Sequence, residues 1–362
     1  MIYAISFVLF FLILRFCVTL FNFISDPKLR RVSKHADNLV SILIPVRDEE
    51  HNIVPLLQSI LDQDYADYEV IILDDSSTDN TFMVCSNFAA RDMRFKVIKG
   101  KELPKEWLGK NYACHQLSQY AHGEYLLFLD ADEKINNGLI NSAIYRMQAN
   151  NLSLLSLFTN QTMLTLGEKM VVPLMHFILL NLLPLKLVFL SKNKSVAAAS
   201  GQFMLFNADD YRRYNWHEQV KEAVVEDVEI MKQVKVQNLN GEALLANGMI
   251  SCRMYTCFSE AVTGFSKNFL AAFNYSIGGL LVFLTILIGG PLLIITTLNL
   301  SLILFMCGLI ILNRVMIAMM AGQSTVLNAT LHPLQMVSLT VVAVTSIQKH
   351  LTKTNIWKGR RV

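Results

Sequence analysis

The stretch Gly123–Lys134, GEYLLFLDADEK, constrains this chain more than any other. Its apolar run Tyr125–Leu129 is too short for a membrane span or an ordinary helix and reads as a fully buried strand. The run stops at Asp130-Ala131-Asp132. Two carboxylates one residue apart, just past the C-terminal end of a buried strand, lie at the mouth of a sheet, where α/β folds take up ligands. They are hard oxygen ligands, suited to a divalent cation that in turn holds a diphosphate. A bare D-x-D is more often a solvated turn with helix-capping acids. The neighbouring segments therefore decide.

Those segments alternate. Val40–Val46 (VSILIPV) reads as a buried strand closed by Pro45, followed by the polar loop 47–52 and helical spacing over Ile53–Leu61. Glu69–Leu73 is a second strand, and it too ends in acids, Asp74-Asp75-Ser76-Ser77-Thr78-Asp79. A helix over Thr81–Ala90, a strand over Arg94–Ile98 and a helix over Asn111–Ala121 lead into the opening strand. Beyond it come a helix (Gly138–Asn150), strands (Ser153–Thr159, Ser200–Phe206) and a charged helix (Val220–Val236). Strands alternating with helices, each strand feeding a polar or acidic loop, describe a doubly wound α/β domain.

The chain is 53% hydrophobic, high for a soluble protein, and the excess is local. Ile2–Ile24 is long enough to span a bilayer despite Arg15, and no small-residue cleavage site follows it. Lys28, Arg30, Arg31 and Lys34 place its downstream side in the cytoplasm. The expectation is an uncleaved anchor over 1–25 and a cytoplasmic α/β domain over 38–268. Val171–Leu190 is apolar but broken by Pro173, His176, Pro184 and Lys186, and reads as an interfacial segment lining a lipid entry, with a third transmembrane helix the alternative. Gly279–Thr297 and Leu300–Met320 read as spans within a C-terminal membrane region, 277–348. Pro333–Ile347 reads as interfacial or re-entrant, since counting it as a span would carry the basic tail, 349–362, to the far side. Asn313-Arg314, costly in lipid, should face protein. The chain is thus expected to be a multi-pass protein of the cell (inner) membrane. A net charge of +3 gives no argument for nucleic acid. The six cysteines form no C-x-x-C pair and read as reduced, mostly structural thiols.

Three acidic loops now follow strands of one sheet: Asp48-Glu49, Asp74-Asp75 and Asp130-x-Asp132. With IPVRDEE (Ile44–Glu50), LDDSSTDNT (Leu73–Thr81), the DAD motif and VVEDVEI (Val224–Ile230), the chain resembles the family 2 glycosyltransferases over about Val40–Lys235. The resemblance implies a GT-A nucleotide-sugar domain with a mixed, mostly parallel sheet. It implies that Pro45, Arg47, Glu49 and Asp74 or Asp75 hold the uridine of a UDP-sugar. It implies that Asp130 and Asp132 place Mg²⁺ or Mn²⁺ on the diphosphate, Asp132 as the direct ligand, with Glu133 a solvated neighbour. Glu226-Asp227 matches the pair that supplies the catalytic base: Asp227 would take the acceptor proton and Glu226 would orient the acceptor.

A narrower likeness extends this. Leu103–Asn111 (LPKEWLGKN), Gly201-Gln202-Phe203, Arg253-Met254-Tyr255, Gly264–Asn268 and Trp357–Arg360 look like membrane glycosyltransferases that modify carotenoids and hopanoid-type lipids. On that likeness Lys110 reaches the diphosphate and Trp107 stacks on a sugar or ring. Gln202, Arg253, Lys267, Trp357 and Arg360 are weaker candidates for the acceptor or diphosphate. The Trp357–Arg361 tail serves equally as an interfacial anchor. No Q-x-x-R-W element of processive synthases occurs. The expected reaction is inverting, metal-dependent transfer of one hexose from a UDP-sugar to a membrane lipid of carotenoid, hopanoid or glycerolipid type. Transfer to polyprenyl phosphate is the alternative within the class, and a non-catalytic nucleotide-sugar-binding membrane protein the alternative outside it.

Overall fold

Strand β1 (Val40–Val46) is apolar on both faces because it is buried on both, with β2 (Tyr68–Asp74) on one side and β4 (Tyr125–Leu129) on the other. Pro45 lies past the last β1–β4 partner pair, Leu43↔Phe128. Its missing N–H therefore breaks no pairing there. β3 (Phe95–Lys99) extends the sheet beyond β2. Along the chain follow β5 (Glu133–Ile135), β6 (Leu154–Phe158), the two-residue β7 (Asn160–Gln161), β8 (Phe203–Asn207), β9 (Gly241–Leu245) and β10 (Ile250–Cys252). Among the described residues, seven of them form one sheet in the order β3-β2-β1-β4-β8-β6-β9. Every neighbouring pair is parallel except those made by β8, which runs antiparallel to both β4 and β6. This is the doubly wound, mostly parallel sheet expected, with one reversed strand.

The computed structural model describes residues 2–33 and 36–354, and the backbone alone of 356–357 and 360–361. It divides into two compact units. The sheet belongs to the unit made of Pro27–Asn160, Lys186–Arg253 and Ile356–Val362. Leu29 ties into this unit ahead of β1, its N–H donating to the Leu245 carbonyl at 2.9 Å. Helices Ile53–Leu61, Thr81–Ala89 and Leu139–Ala149 contribute apolar faces to the core with β1, β2 and β4.

One helix differs from the expectation. The segment read as a helix from Val220 becomes helical only at Glu226, ending at Val236. The buried Asn111 side chain donates to the carbonyls of Val220, Lys221 and Ala223 at 3.0–3.2 Å. It fixes them in a turn and places three acids, Glu226, Asp227 and Glu229, in the first helical turn, where the helix dipole favours them.

The second unit comprises Met1–Asp26, Gln161–Leu185 and Met254–Asn355. Among the described residues, three of its helices are long and apolar enough to cross a membrane: Ile2–Ser25, Ile277–Ile295 and Leu300–Ala321. The second contains a π-helical turn at Thr285–Gly289. Asn313 is buried and donates to Thr19 Oγ1 and Asn181 Oδ1, each at 3.1 Å. Arg314, 1% exposed, donates to Asn328 Oδ1 at 2.7 Å and to Gln335 Oε1, and lies over the Phe177 ring at 4.6 Å. Both face protein, as their cost in lipid requires.

The apolar segment 171–190 is not one piece. Leu174–Leu182 is a helix of the membrane-type unit, and the Asn22 amide seals its end by donating to the Leu180 and Leu183 carbonyls at 2.9 and 2.8 Å. Leu187–Leu190 belongs to the sheet unit. Residues 333–347 show no re-entrant break. They lie within one continuous 21-residue helix, His332–Thr352, whose small and apolar face packs on Phe258–Phe269. Polar residues lower its hydropathy, not its helicity.

Candidate active site

The parallel strands β1, β2 and β4 end on one edge of the sheet, which brings their three acidic loops together. The first two loops are knitted to each other. Asp48 Oδ1 accepts from the Thr78 N–H at 2.7 Å, and Arg47 donates to the Asp75 carbonyl at 2.6 Å. The Glu49 N–H donates to Thr81 Oγ1 at 2.8 Å. Asp74 and Asp75 are buried, and Asp74 Oδ2 accepts from the Ser77 N–H at 3.3 Å. The turn chemistry of these acids is real. It also ties the two loops to each other.

The reversed strand β8 supplies the third wall. Its register sets Phe203 opposite Leu129, so the preceding Gly201-Gln202 lies alongside Asp130, whose N–H donates to the Gln202 carbonyl at 3.3 Å. The Gly201 N–H in turn donates to Asp227 Oδ2 at 2.8 Å. Lys110, in the first turn of the helix Gly109–Tyr120, closes the arrangement. Its Nζ lies 2.7 Å from Asp130 Oδ1 and 3.3 Å from Glu226 Oε1. One ammonium thus joins the D-x-D motif to the Glu226-Asp227 pair, 94 and more residues further along the chain. Pro45, Lys110, Asp130, Gly201 and Glu226 line one pocket together with Cys114, Phe128 and His217.

The electrostatics follow from this packing. Burial works against the Lys110 charge, but Asp130 and Glu226 outweigh it and hold the ammonium well above its ordinary pKa. Burial, then the charge of Glu226, pushes the Asp227 carboxyl up to about 7, against the opposing pull of the Val228 and Gly201 N–H groups and Lys110. Asp132 is pushed up to about 6, by burial and then by Asp130. His217 is buried and lowered to about 3 by desolvation and by Lys110, so it is neutral.

Glu133 corrects the expectation of a solvated neighbour. It is 1% exposed, because β5 pairs antiparallel with β10 and sets Glu133 opposite Cys252. Burial and the charges of Asp132 and Asp130 raise its pKa well above the carboxylate range. A carboxylate-rich, desolvated cluster of this kind fits a divalent cation, which would neutralise it.

Other candidates lie elsewhere. Trp107 packs against Tyr112 and His115, at ring distances of 5.2 and 4.9 Å, outside the pocket lining. Gln202 is buried, its side-chain oxygen accepting from Thr159 at 2.9 Å. Arg253 is exposed after β10, and Lys267 lies in the helical unit. The side chains of Trp357 and Arg360 lie outside the described residues. Sequence reasoning missed Cys114 and His217. Cys114 stands four residues after Lys110, one helical turn on, a spacing that could have been read. His217 carried no local signal.

The family model described as "Glycosyl transferase family 2" matches residues 41–215, which hold all three acidic loops. A 4,4'-diaponeurosporenoate glycosyltransferase of Staphylococcus haemolyticus is 28% identical over 63% of this chain and 60% of its own length. The Escherichia coli UDP-Glc:alpha-D-GlcNAc-diphosphoundecaprenol beta-1,3-glucosyltransferase WfgD is 33% identical over 32% of this chain and 44% of its own. The chain therefore spans less than two thirds of either relative. Among solved structures, the mannosyltransferase PcManGT from Pyrobaculum calidifontis, in complex with GDP-Man and Mn²⁺, aligns over 97% of this chain and all of its own. That alignment has a TM-score of 0.60 at 12% identity, a likeness of fold. Over residues 41–215, which carry these loops, the chain thus holds a glycosyl transferase family 2 domain.

Proposed function

We propose that the chain is an inverting transferase that moves one hexose from a UDP-sugar to a membrane lipid of carotenoid, hopanoid or glycerolipid type. The observation that carries this reading is Lys110, which joins Asp130 to Glu226 in one pocket at the ligand-binding edge of the sheet.

On this reading the loops after β1 and β2 hold the nucleoside, through Pro45, Arg47, Glu49 and Asp74 or Asp75. Asp132, with Asp130 beside it, would hold Mg²⁺ or Mn²⁺, which when bound stabilises charge on the departing diphosphate. Lys110 stays charged and adds a fixed positive centre at the same edge. Asp227 accepts the acceptor hydroxyl proton as the oxygen–anomeric carbon bond forms and the bond to the diphosphate breaks. Its raised pKa suits it to hold that proton near neutral pH. Glu226 fixes Lys110 and the acceptor side. The relative from S. haemolyticus, named for a carotenoid-type acid, and the three membrane-length helices support a lipid as acceptor.

The test uses purified, detergent-solubilised full chain with Mn²⁺, native membrane lipid extract, and a panel of radiolabelled UDP-sugars with GDP-mannose. Label from a UDP-sugar should enter the organic phase. Asp227→Asn should lower turnover about 10²–10⁴-fold while the protein remains folded. Nucleotide release without labelled lipid would overturn the acceptor, and label from GDP-mannose alone would overturn the donor. Unchanged turnover in Asp227→Asn would remove the base, as an anionic acceptor such as polyprenyl phosphate would.

A further inference from the structure

Two arginines stand inside membrane-length helices of the second unit, Arg15 in Ile2–Ser25 and Arg314 in Leu300–Ala321. Both converge on one ring. The Arg314 guanidinium carbon lies 4.6 Å from the Phe177 centroid, and that of Arg15 lies 6.0 Å from it. His332 meets the same ring edge-on, at a centroid distance of 5.9 Å. Three nitrogens of this cluster are buried without a hydrogen-bond partner: Arg15 Nε, Arg314 Nη1 and His332 Nδ1. Native proteins leave few polar atoms in that state.

Charge sharpens the problem, because a guanidinium cannot shed its proton as a buried lysine can. The acids of this unit are Asp26, Glu168 and Glu260. Glu168 caps its own helix at Thr165, and Glu260 accepts from Thr256 at 2.8 Å. The groups that Arg314 does bond, the Asn328 carbonyl and the side-chain oxygens of Asn328 and Gln335, are neutral. Fastening the helices would need only those bonds. A second cation beside the same ring adds repulsion and no fastening. Ionisable groups at membrane depth are expensive and mark sites that pair them.

We propose that Arg15 and Arg314 together hold the phosphate head of an anionic membrane lipid, a phosphomonoester in preference to a phosphodiester. Two guanidiniums match a phosphomonoester dianion in charge, and their forked donors match its oxygens. Arg314 binds from the buried side, and Arg15, only partly buried, binds at the opening. Ile13, Leu14, Ile311 and Leu312 beside them are exposed on the apolar surfaces of the same two helices, where acyl chains lie. That surface favours a lipid over free phosphate. Arg15, Phe177, Arg314 and His332 have no part in the transfer chemistry above, so binding here stands or falls apart from that reading.

The probe is radiolabelled dioctanoyl phosphatidic acid, added to purified, delipidated full chain in neutral detergent without any sugar nucleotide. Binding should saturate at one lipid per chain. Dioctanoyl phosphatidylglycerol should compete about tenfold more weakly or worse, having one charge fewer for the two guanidiniums. Dioctanoyl phosphatidylcholine and inorganic phosphate, at equal concentration, should not displace the label. Arg15→Gln should weaken binding about 10–100-fold, the effect of losing a hydrogen bond to a charged group. Arg15→Lys, which keeps the charge, should bind more tightly than Arg15→Gln. Arg314→Gln should also lose binding, and the two Arg15 variants decide the case should it not fold. Arg30→Gln/Arg31→Gln, which strips two exposed cations from the basic flank, should bind as wild type does. Four results would overturn the proposal: no saturable binding to folded wild-type protein, equal competition by phosphatidylglycerol or phosphatidylcholine, displacement by inorganic phosphate, or wild-type affinity in Arg15→Gln.

Discussion

At the scale of single residues, the pocket balances one ammonium against several carboxylates. Lys110 pairs with Asp130 and Glu226, which leaves Asp227 held by backbone N–H groups and pushed up to about 7 by burial and by Glu226. The sign of the pH effect follows. Below that pKa Asp227 carries a proton and cannot take another, so kcat/KM should rise about tenfold per pH unit and level off above about 7. Stability runs the other way. The folded chain binds this proton more tightly than the unfolded chain, so the contribution is present at low pH and lost as pH rises through about 7. A pH–rate profile flat from acid to alkaline would sink the assignment of Asp227 as base. Gly201 is the companion case. A Cβ there would stand 3.0 Å from Lys110 Nζ and 3.1 Å from Glu226 Oε1. The lysine end can shift, so Gly201→Ala should fold with a nearly unchanged melting temperature. The displaced ion pair should lower turnover at least about tenfold. Wild-type turnover in this variant would show that the geometry of the Lys110 bridge does not matter.

At the scale of elements, what could be read in the sequence was what local pattern controls. The buried strands β1, β2 and β4 are continuous apolar runs that stop at acids, and the structure places them within a residue or so of their expected ends. The D-x-D and Glu226-Asp227 pairs carried their chemistry in residue type and order, and the structure brings one member of each, Asp130 and Glu226, to one pocket and one lysine. Long-range contacts were not legible. The helix 226–236 loses its expected first turns because Asn111, more than a hundred residues earlier, occupies the carbonyls of 220, 221 and 223. Glu133 is buried by pairing with a strand 117 residues away, and nothing next to it in sequence announces that. Asn111 therefore positions rather than reacts. Asn111→Ala should cost about 1–3 kcal/mol of stability, because buried carbonyls lose their donor. With the start of the Glu226 helix released, kcat should fall more than KM changes. A loss of stability with kcat intact, measured by denaturant titration beside steady-state kinetics, would make Asn111 purely structural.

At the scale of the whole molecule, the question is which side of the bilayer the sheet unit occupies. Lys28, Arg30 and Arg31 directly follow the apolar helix Ile2–Ser25, and basic flanks remain on the cytoplasmic side. Cys257 reports on that side without any engineered residue. It is exposed, and its thiol is lowered below its ordinary pKa by the hydrogen bond with Ser259, which favours the reactive thiolate. Only four residues lie between it and Cys252 in β10. Five extended steps span at most about 18 Å, short of the roughly 30 Å hydrocarbon core, so the chain does not cross the bilayer between Cys252 and Cys257. Cys17 is also exposed, but on the apolar surface of Ile2–Ser25, where a membrane-impermeant reagent does not reach. An impermeant maleimide should therefore label the protein in inside-out vesicles and leave it unlabelled in right-side-out ones. Cys257→Ser should remove the label. Labelling in right-side-out vesicles would put the sheet outside the cytoplasm, away from any cytoplasmic supply of nucleotide sugar, and the proposed donor would fall with the topology.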